Sequence, residues 1–209
     1  MSYDENDAAM DAMYEQIGLE LYPEHKAQAV DEFTADRLCS FYVKNPTVMR
    51  PAVDALQEGK RLNESNHYSA AIVFFVTAIE LLLKATLLKP VVYGLVHNEG
   101  LAEIVVQHAL GQAGFDRYES LLTNLFSELA NMELQTITRN GETEKLLVEC
   151  KNLQKLRNQI IHQGAGCTSA QAELGLKVSA AVFDLIVVPM LFSLGLTVVE
   201  KGGITKRQF

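Results

Sequence analysis

One segment constrains the fold of this chain more than any other, the apolar run HYSAAIVFFVTAIELLLKATLLKP at residues 67–90. Between Ala70 and Ile79 its only polar residue is Thr77. A helix that is apolar on nearly every side has to be surrounded by other elements. The segment therefore predicts the central helix of a helical bundle. Pro90 is expected to end that helix, because proline cannot continue the hydrogen-bond ladder.

A second apolar run, VSAAVFDLIVVPMLFSLGLTVV at residues 178–199, is long enough to cross a bilayer. Asp184 lies inside this run, and a carboxylate near the bilayer centre costs roughly 2.5–3.5 kcal/mol. Pro189 is also expected to kink the helix. We therefore interpret the run as a buried core helix of a soluble protein and expect no membrane partner.

The remainder of the chain also has helical patterning, because strand-like alternation is scarce and hairpin signals between strands are lacking. Further helices are predicted near residues 4–20, 26–43, 51–63, 99–111, 115–134 and 142–163, with a loop at 132–141 and a capping residue for the last helix at Thr168 or Ser169. The predicted fold class is all-α. A helical bundle would occupy residues 47–200, with extra N-terminal helices in 1–46 and a tail at 201–209.

Composition narrows the function classes. Hydrophobic residues make up 48% of the 209, which favours a large core and argues against a disordered chain. The net charge of −8 argues against a protein that coats nucleic acid, although a local basic cleft stays open. The three cysteines, Cys39, Cys150 and Cys167, form no CxxC pair, which favours a reduced, cytoplasmic setting. The acidic start MSYDENDAAMDAMYE predicts no export signal.

Common catalytic motifs are missing from the sequence. It has no phosphate-binding loop, no GxGxxG, no HExxH and no GxSxG. The five histidines are scattered along the chain. We therefore predict no metal site and no cofactor.

The stretch LRNQIIHQG at residues 156–164 carries the strongest chemical signal. Asn158 and His162 are four residues apart and share a helix face, but Arg157 and His162 lie about 140° apart on a regular helix. Two arrangements could unite Arg157 with His162. The helix could loosen before Gly164, or a symmetric dimer could bring one chain's arginine to the other's histidine.

These residue types suit RNA chemistry. Arginine grips phosphate through a planar fork of donors, histidine moves protons near neutral pH, and asparagine can orient the histidine. Such a set could cleave RNA without metal through attack of the ribose 2′-OH. The structural alternative is that Arg157 and His162 only complement the dipole and the last carbonyls of the helix.

The pattern Arg-x4-His, with a polar residue directly after the arginine, resembles the signature of the HEPN superfamily. The 67–90 segment, with its "AIE…LK" pattern, looks like the hydrophobic helix of that family, and the order of the helices also agrees. The resemblance covers about residues 50–199. It implies an up-and-down bundle of four to five helices that dimerises, with the two motifs facing each other in an interface groove. Many members are metal-independent endoribonucleases in toxin–antitoxin, phage-defence or RNA-processing systems, and others are non-catalytic.

Carried over by this resemblance, His162 would be the acid or base, Arg157 the phosphate clamp and Asn158 a polar supporter. Glu80 matches a recurrent acidic position on the hydrophobic helix. It would either buttress Arg157 or pair with Lys84, four residues further along.

Three lysines near the motif, Lys151, Lys155 and Lys177, could bind substrate if a dimer axis doubles them into a positive groove. The alternative is a solvated helix face. The expected partners are a second copy of the chain, an RNA substrate with transfer RNA among the candidates, and a protein antitoxin or effector acting in trans. Residues 1–45 and 91–141 exceed what a minimal family member needs. They could form a partner-binding surface or partly cover the groove.

Overall fold

The computed structural model describes residues 5–96, 98–110 and 115–207, and within them helices dominate. In chain order the α-helices are α1 (Glu5–Lys44), α2 (Arg50–Glu64), α3 (Tyr68–Leu81), α4 (Lys89–Leu95), α5 (Glu99–Leu110), α6 (Phe115–Ala130), α7 (Leu146–Gln163), α8 (Ser169–Val182) and α9 (Val188–Ser193). Two short strands, β1 (Leu196–Val199) and β2 (Gly203–Lys206), pair antiparallel. The chain is 79% helical, so the predicted all-α class is confirmed.

The chain divides into two compact units, residues 1–37 and 38–209. In the first unit α1 begins at Glu5, and it is one helix where the sequence predicts two. None of the side chains described there is buried. The second unit starts at Leu38 and contains the whole hydrophobic core. The domain boundary at residue 47 that the patterning suggests stays a prediction.

The centre of the second unit is α3, as the apolar run predicts, and it packs against α2, α7 and α8. Phe75 on α3 fits between two helices at positions where each has a glycine. A Cβ atom at Gly59 of α2 would stand 2.6 Å from the Phe75 ring, and one at Gly175 of α8 would stand 3.0 Å from it. Neither helix could approach α3 this closely with a larger residue, because interiors are close-packed.

Pro90 does not end the central helix, contrary to the expectation from sequence. A π-helical segment, Leu82–Leu88, follows α3, and α4 then begins with Pro90 in its first turn. Pro189 is accommodated in the same way, in the first turn of α9 after the π-helical segment Phe183–Val187. Proline is tolerated in a first turn because its missing N–H is not needed there.

The carbonyl that a residue at position 90 would normally engage belongs to Thr86, four residues earlier. The Tyr42 hydroxyl, near the end of α1, donates a hydrogen bond to this carbonyl at 2.6 Å. Tyr42 and Thr86 are both fully buried, and burial raises the pKa of the Tyr42 hydroxyl far above its usual value. The hydroxyl therefore stays protonated and replaces the donor that Pro90 lacks.

The predicted closing helix is shorter than expected. It ends at Ser193, and β1 and β2 occupy residues predicted as helix and tail. Two helical stretches, Tyr68–Gly94 and Ser169–Ser193, are long and apolar enough to cross a membrane, with 61% and 44% of their most apolar windows buried inside the protein. Such burial is consistent with core helices of a soluble protein. Asp184 lies on an exposed part of the second stretch.

Candidate functional site

The motif helix α7 is anchored at its N-terminal half. It begins at Leu146 rather than at residue 142, and Leu146, Leu147, Cys150 and Leu153 are buried. The preceding loop is held to it by Arg139, whose guanidinium donates to both carboxylate oxygens of the buried Glu149. This ion pair raises the pKa of Arg139. The start of α7 is therefore fixed by packing and by charge.

The other end of α7 is equally well defined. The helix is regular through Gln163, and Gly164 adopts a left-handed conformation with φ of 67°. The Gly164 N–H donates to the Ile160 carbonyl, and the Ala165 N–H donates to the Gln159 carbonyl. This C-terminal cap satisfies carbonyls that the helix would otherwise leave free. The helix does not loosen before Gly164. A loosened helix end therefore does not bring Arg157 and His162 together within one chain.

Arg157 and His162 consequently lie on different faces of α7, about 140° apart by helical geometry. Arg157 is half-buried, and its Nε is fully buried with no acceptor among the described residues. Its Nη1 donates to Asn158 Oδ1 at 3.1 Å. Asn158 and His162 are both exposed and share a face. Asn158 thus lies between the arginine and the histidine.

The helical spacing of Leu156, Ile160 and Ile161 predicts that all three lie on one buried face of α7, but this face is buried only in part. Leu156 and Ile160 are half-buried against the core, whereas 45% of Ile161 is exposed, so the prediction for Ile161 is wrong. Ile161 lies four residues after Arg157 and directly before His162. The C-terminal half of α7, which carries the motif, is therefore less covered than its N-terminal half.

Glu80 contacts the motif helix, although at Gln154 and not at Arg157. The Gln154 Nε2 donates to Glu80 Oε1 at 3.4 Å, and the described residues contain no ion pair between Glu80 and Arg157. Burial lowers the pKa of Lys84, and the charge of Glu80 partly offsets that effect. Lys84 also lies 5.0 Å from the centre of the Tyr118 ring. Glu80 therefore contacts the motif helix through Gln154, and its pairing with Lys84 stays a prediction.

Two of the three candidate substrate-binding lysines have carboxylate partners. Lys151 forms an ion pair with Glu119, and Lys177 lies 4.0 Å from Glu173. Lys155 has no ion pair within the described ranges. It borders a groove between α7 and α8 with a volume of about 280 Å³, whose other lining residues are Glu144, Glu149, Asn152, Leu153, Leu156, Gln159, Gln171 and Leu174. In a single chain the positive charge near the motif is therefore concentrated at Arg157 and Lys155.

Three polar residues around the site were not predicted from the sequence. Gln154 and Gln159 are each four residues from Asn158 or Lys155, so helical spacing could have pointed to both. Gln171 pairs with Thr168 in a capping box at the start of α8, which the Thr-x-x-Gln spacing predicts. No short sequence motif predicts the Arg139–Glu149 pair, because the conformation of the loop between the two residues brings them together.

The part of the chain that is described contains no cluster of three or more histidine, cysteine, aspartate or glutamate side chains able to hold a metal ion. In comparisons with known proteins, no family model, no curated protein and no solved structure matched this chain.

Proposed function

We propose that this chain is a metal-independent endoribonuclease of the HEPN type, whose active site forms between two copies related by a two-fold axis. Arg157 would bind the scissile phosphate, His162 would transfer the proton, and Asn158 would connect the two. A cytoplasmic role as a toxin or defence effector belongs to the same proposal. The free thiols of Cys39, Cys150 and Cys167 suit that compartment.

The single observation that carries the proposal is the buried Nε of Arg157, which has no acceptor among the described residues. A buried donor without an acceptor is destabilising, so it needs an explanation in terms of strain or function. An incoming phosphate is a strong acceptor for a guanidinium, because both are charged and their geometries match. These properties of the guanidinium support Arg157 as the group that would bind the phosphate.

The environment of His162 agrees with this role. The imidazole is exposed at the open end of α7 and forms no hydrogen bond within the described residues. Asn158, on the same face, already accepts a hydrogen bond from Arg157 at 3.1 Å. A proton-transfer group needs access to substrate, and the exposure of His162 provides that access.

A second copy of the chain would supply what one helix lacks. Arg157 and His162 diverge on α7, while the exposed Ile161 gives the same surface an apolar contact that a two-fold axis would cover. Pairing two motif helices around this axis would place the arginine of one copy near the histidine of the other. It would also bring two Lys155 side chains to one groove, giving a local positive potential on an acidic protein.

The reaction needs only the groups of this site and water. His162 accepts the proton of the ribose 2′-OH, and the O2′ atom forms a bond to phosphorus while the P–O5′ bond breaks. The leaving oxygen takes a proton from water, and the hydroxide that results takes the proton from His162, which restores the neutral imidazole. The products are a 2′,3′-cyclic phosphate and a 5′-hydroxyl end. Arg157 balances the negative charge on the phosphate as it develops.

The test is cleavage of purified transfer RNA and total RNA by the full-length protein in EDTA. We expect cyclic phosphate ends with the wild type, and loss of cleavage by a factor of about 100 or more for His162→Ala. His25→Ala, far from the motif in the sequence, is the matched control and should retain full activity. Intact RNA with the folded wild-type dimer would reject the proposal for this chain.

The second candidate is a non-catalytic helical module that binds RNA, nucleotide or a protein partner. One observation favours it, namely the regular geometry of α7, which keeps Arg157 and His162 apart within a single chain. Growth on induced expression separates the candidates. Toxicity that His162→Ala removes supports the nuclease, whereas a phenotype that is unchanged by His162→Ala supports the module.

A further inference from the structure

The net charge of the chain is confined to its N-terminal unit. Residues 1–37 contain ten acidic and two basic residues, which accounts for the whole net charge of −8. Residues 38–209 contain sixteen of each and are neutral overall. A charge this concentrated creates a strong local potential that selects partners by sign.

The same unit carries an exposed apolar stripe. Along α1, five large apolar side chains follow the spacing i, i+3, i+4, i+7 and i+11, and all are more than 40% exposed: Met10, Met13, Tyr14, Ile17 and Leu21. They fall on one face of the helix. We call this set the N-terminal stripe. No side chain described between residues 10 and 37 is buried, so the stripe has no covering element within its own unit.

Carboxylates border the N-terminal stripe on both sides. Asp11 and Glu15 lie beyond one edge and Glu20 beyond the other, and all three are exposed. Amphipathic helices with anchors at this spacing bind by inserting their apolar face into a groove on another protein. The surrounding charge then determines which grooves are compatible, because like charges at an interface rim are repulsive.

We propose that the N-terminal stripe docks a separate protein whose apolar groove is rimmed by lysine or arginine side chains. Charge complementarity selects this occupant. A second copy of the same helix would bring two strongly acidic segments together, and nucleic acid or an anionic membrane would meet a surface of its own sign. The inference uses only the N-terminal unit and does not depend on the proposed nuclease activity.

The experiment uses the full-length protein and a defined probe, a labelled helical peptide of leucine and lysine whose apolar face is bordered by lysines. Fluorescence anisotropy gives the dissociation constant. The test variant is Ile17→Asn with Leu21→Asn, and the matched control is Leu19→Asn. Leu19 is 72% exposed on the same helix but faces away from the stripe. Thermal melts should be the same for all three proteins, since the core lies in residues 38–209.

We expect the double variant to weaken peptide binding about tenfold or more, since two buried aliphatic side chains are lost from the contact. Leu19→Asn should leave binding unchanged, and a glutamate version of the peptide should not bind. Equal affinity for wild type and double variant would overturn the proposal in favour of charge attraction alone, and absence of binding would overturn it outright.

Two further measurements test the other occupants. Sedimentation of the full-length protein that shows a dimer lost in the double variant would assign the stripe to a second copy. Binding to phosphatidylcholine vesicles that is lost in the double variant would assign it to a lipid surface. The proposal requires that the double variant changes neither result.

Discussion

At the scale of single residues, the side chain of Arg157 would lower the stability of the fold and serve the proposed function. Its buried Nε has no acceptor in the described part of the chain. We predict that Arg157→Met keeps or raises the free energy of unfolding, by up to about 1 kcal/mol, because an unsatisfied donor is replaced by apolar surface. RNA cleavage should be lost. Denaturant melts measure the first effect and gel assays the second.

Lys155→Met on the same helix is the control for Arg157→Met, since it removes an exposed cation whose stability effect should be small. A loss of more than about 1 kcal/mol on Arg157→Met alone would contradict the account. It would mean that Arg157 acts as a structural partner of the helix end.

The Arg139–Glu149 pair, unlike Arg157, should stabilise the fold, and loss of either partner should destabilise it. Glu149 is 4% exposed and receives both hydrogen bonds of the guanidinium. We predict that Glu149→Gln lowers the free energy of unfolding by about 3 kcal/mol, because it leaves a charge unpaired in a buried site. Glu142→Gln is the control, because Glu142 is 51% exposed at 3.6 Å from Arg139 and should contribute less than about 1 kcal/mol. Equal losses in urea melts would contradict this assignment.

At the scale of elements, the Tyr42 hydroxyl stabilises the π-helical segment that connects α3 and α4. Tyr42→Phe removes a buried hydrogen bond to the Thr86 carbonyl. We predict a loss of about 1–3 kcal/mol in the free energy of unfolding. Tyr68→Phe, whose hydroxyl bonds Asn66 near the surface, should change it by less than about 0.5 kcal/mol. Thermal melts of the two variants decide, and similar values for both would contradict the role given to Tyr42.

Helices were predictable where local signals coincide. Apolar periodicity and caps located α2 and the starts of α3, α7 and α8 to within a few residues, and Gly164 was expected as a stop because it can adopt a positive φ. The helix stop predicted at Pro90 was wrong, because a π-helical segment precedes the proline and places it in the first turn of α4. The strands β1 and β2 were missed, since residues 196–199 continue an apolar run without alternation.

The candidate site divides in a similar way. The residues Arg157, Asn158 and His162 came from the sequence, and so did the angle between the first and last, because both follow from helical spacing. The exposure of Ile161 and the partners of Lys151 and Lys177 did not, since they depend on how distant segments pack. That the motif forms an active site between two chains is a proposal.

At the scale of the whole molecule, the two units would have different functions. The neutral unit of residues 38–209 holds the core and the motif helix, while the acidic unit of residues 1–37 offers the N-terminal stripe. The nuclease proposal requires two copies of the first, and the docking proposal requires one copy of the second with a basic partner. Variants in one unit should therefore leave the assay of the other unchanged.

The shared site is tested most directly by mixing two inactive variants. Arg157→Ala and His162→Ala should each be inactive alone. After unfolding and joint refolding at equal amounts, about a quarter of wild-type cleavage in EDTA should return, because roughly half of the dimers are mixed and each of these has one intact composite site. If the mixture stays inactive while pull-down through an affinity tag on one variant shows that mixed dimers have formed, the site is not shared between chains and the proposal is contradicted.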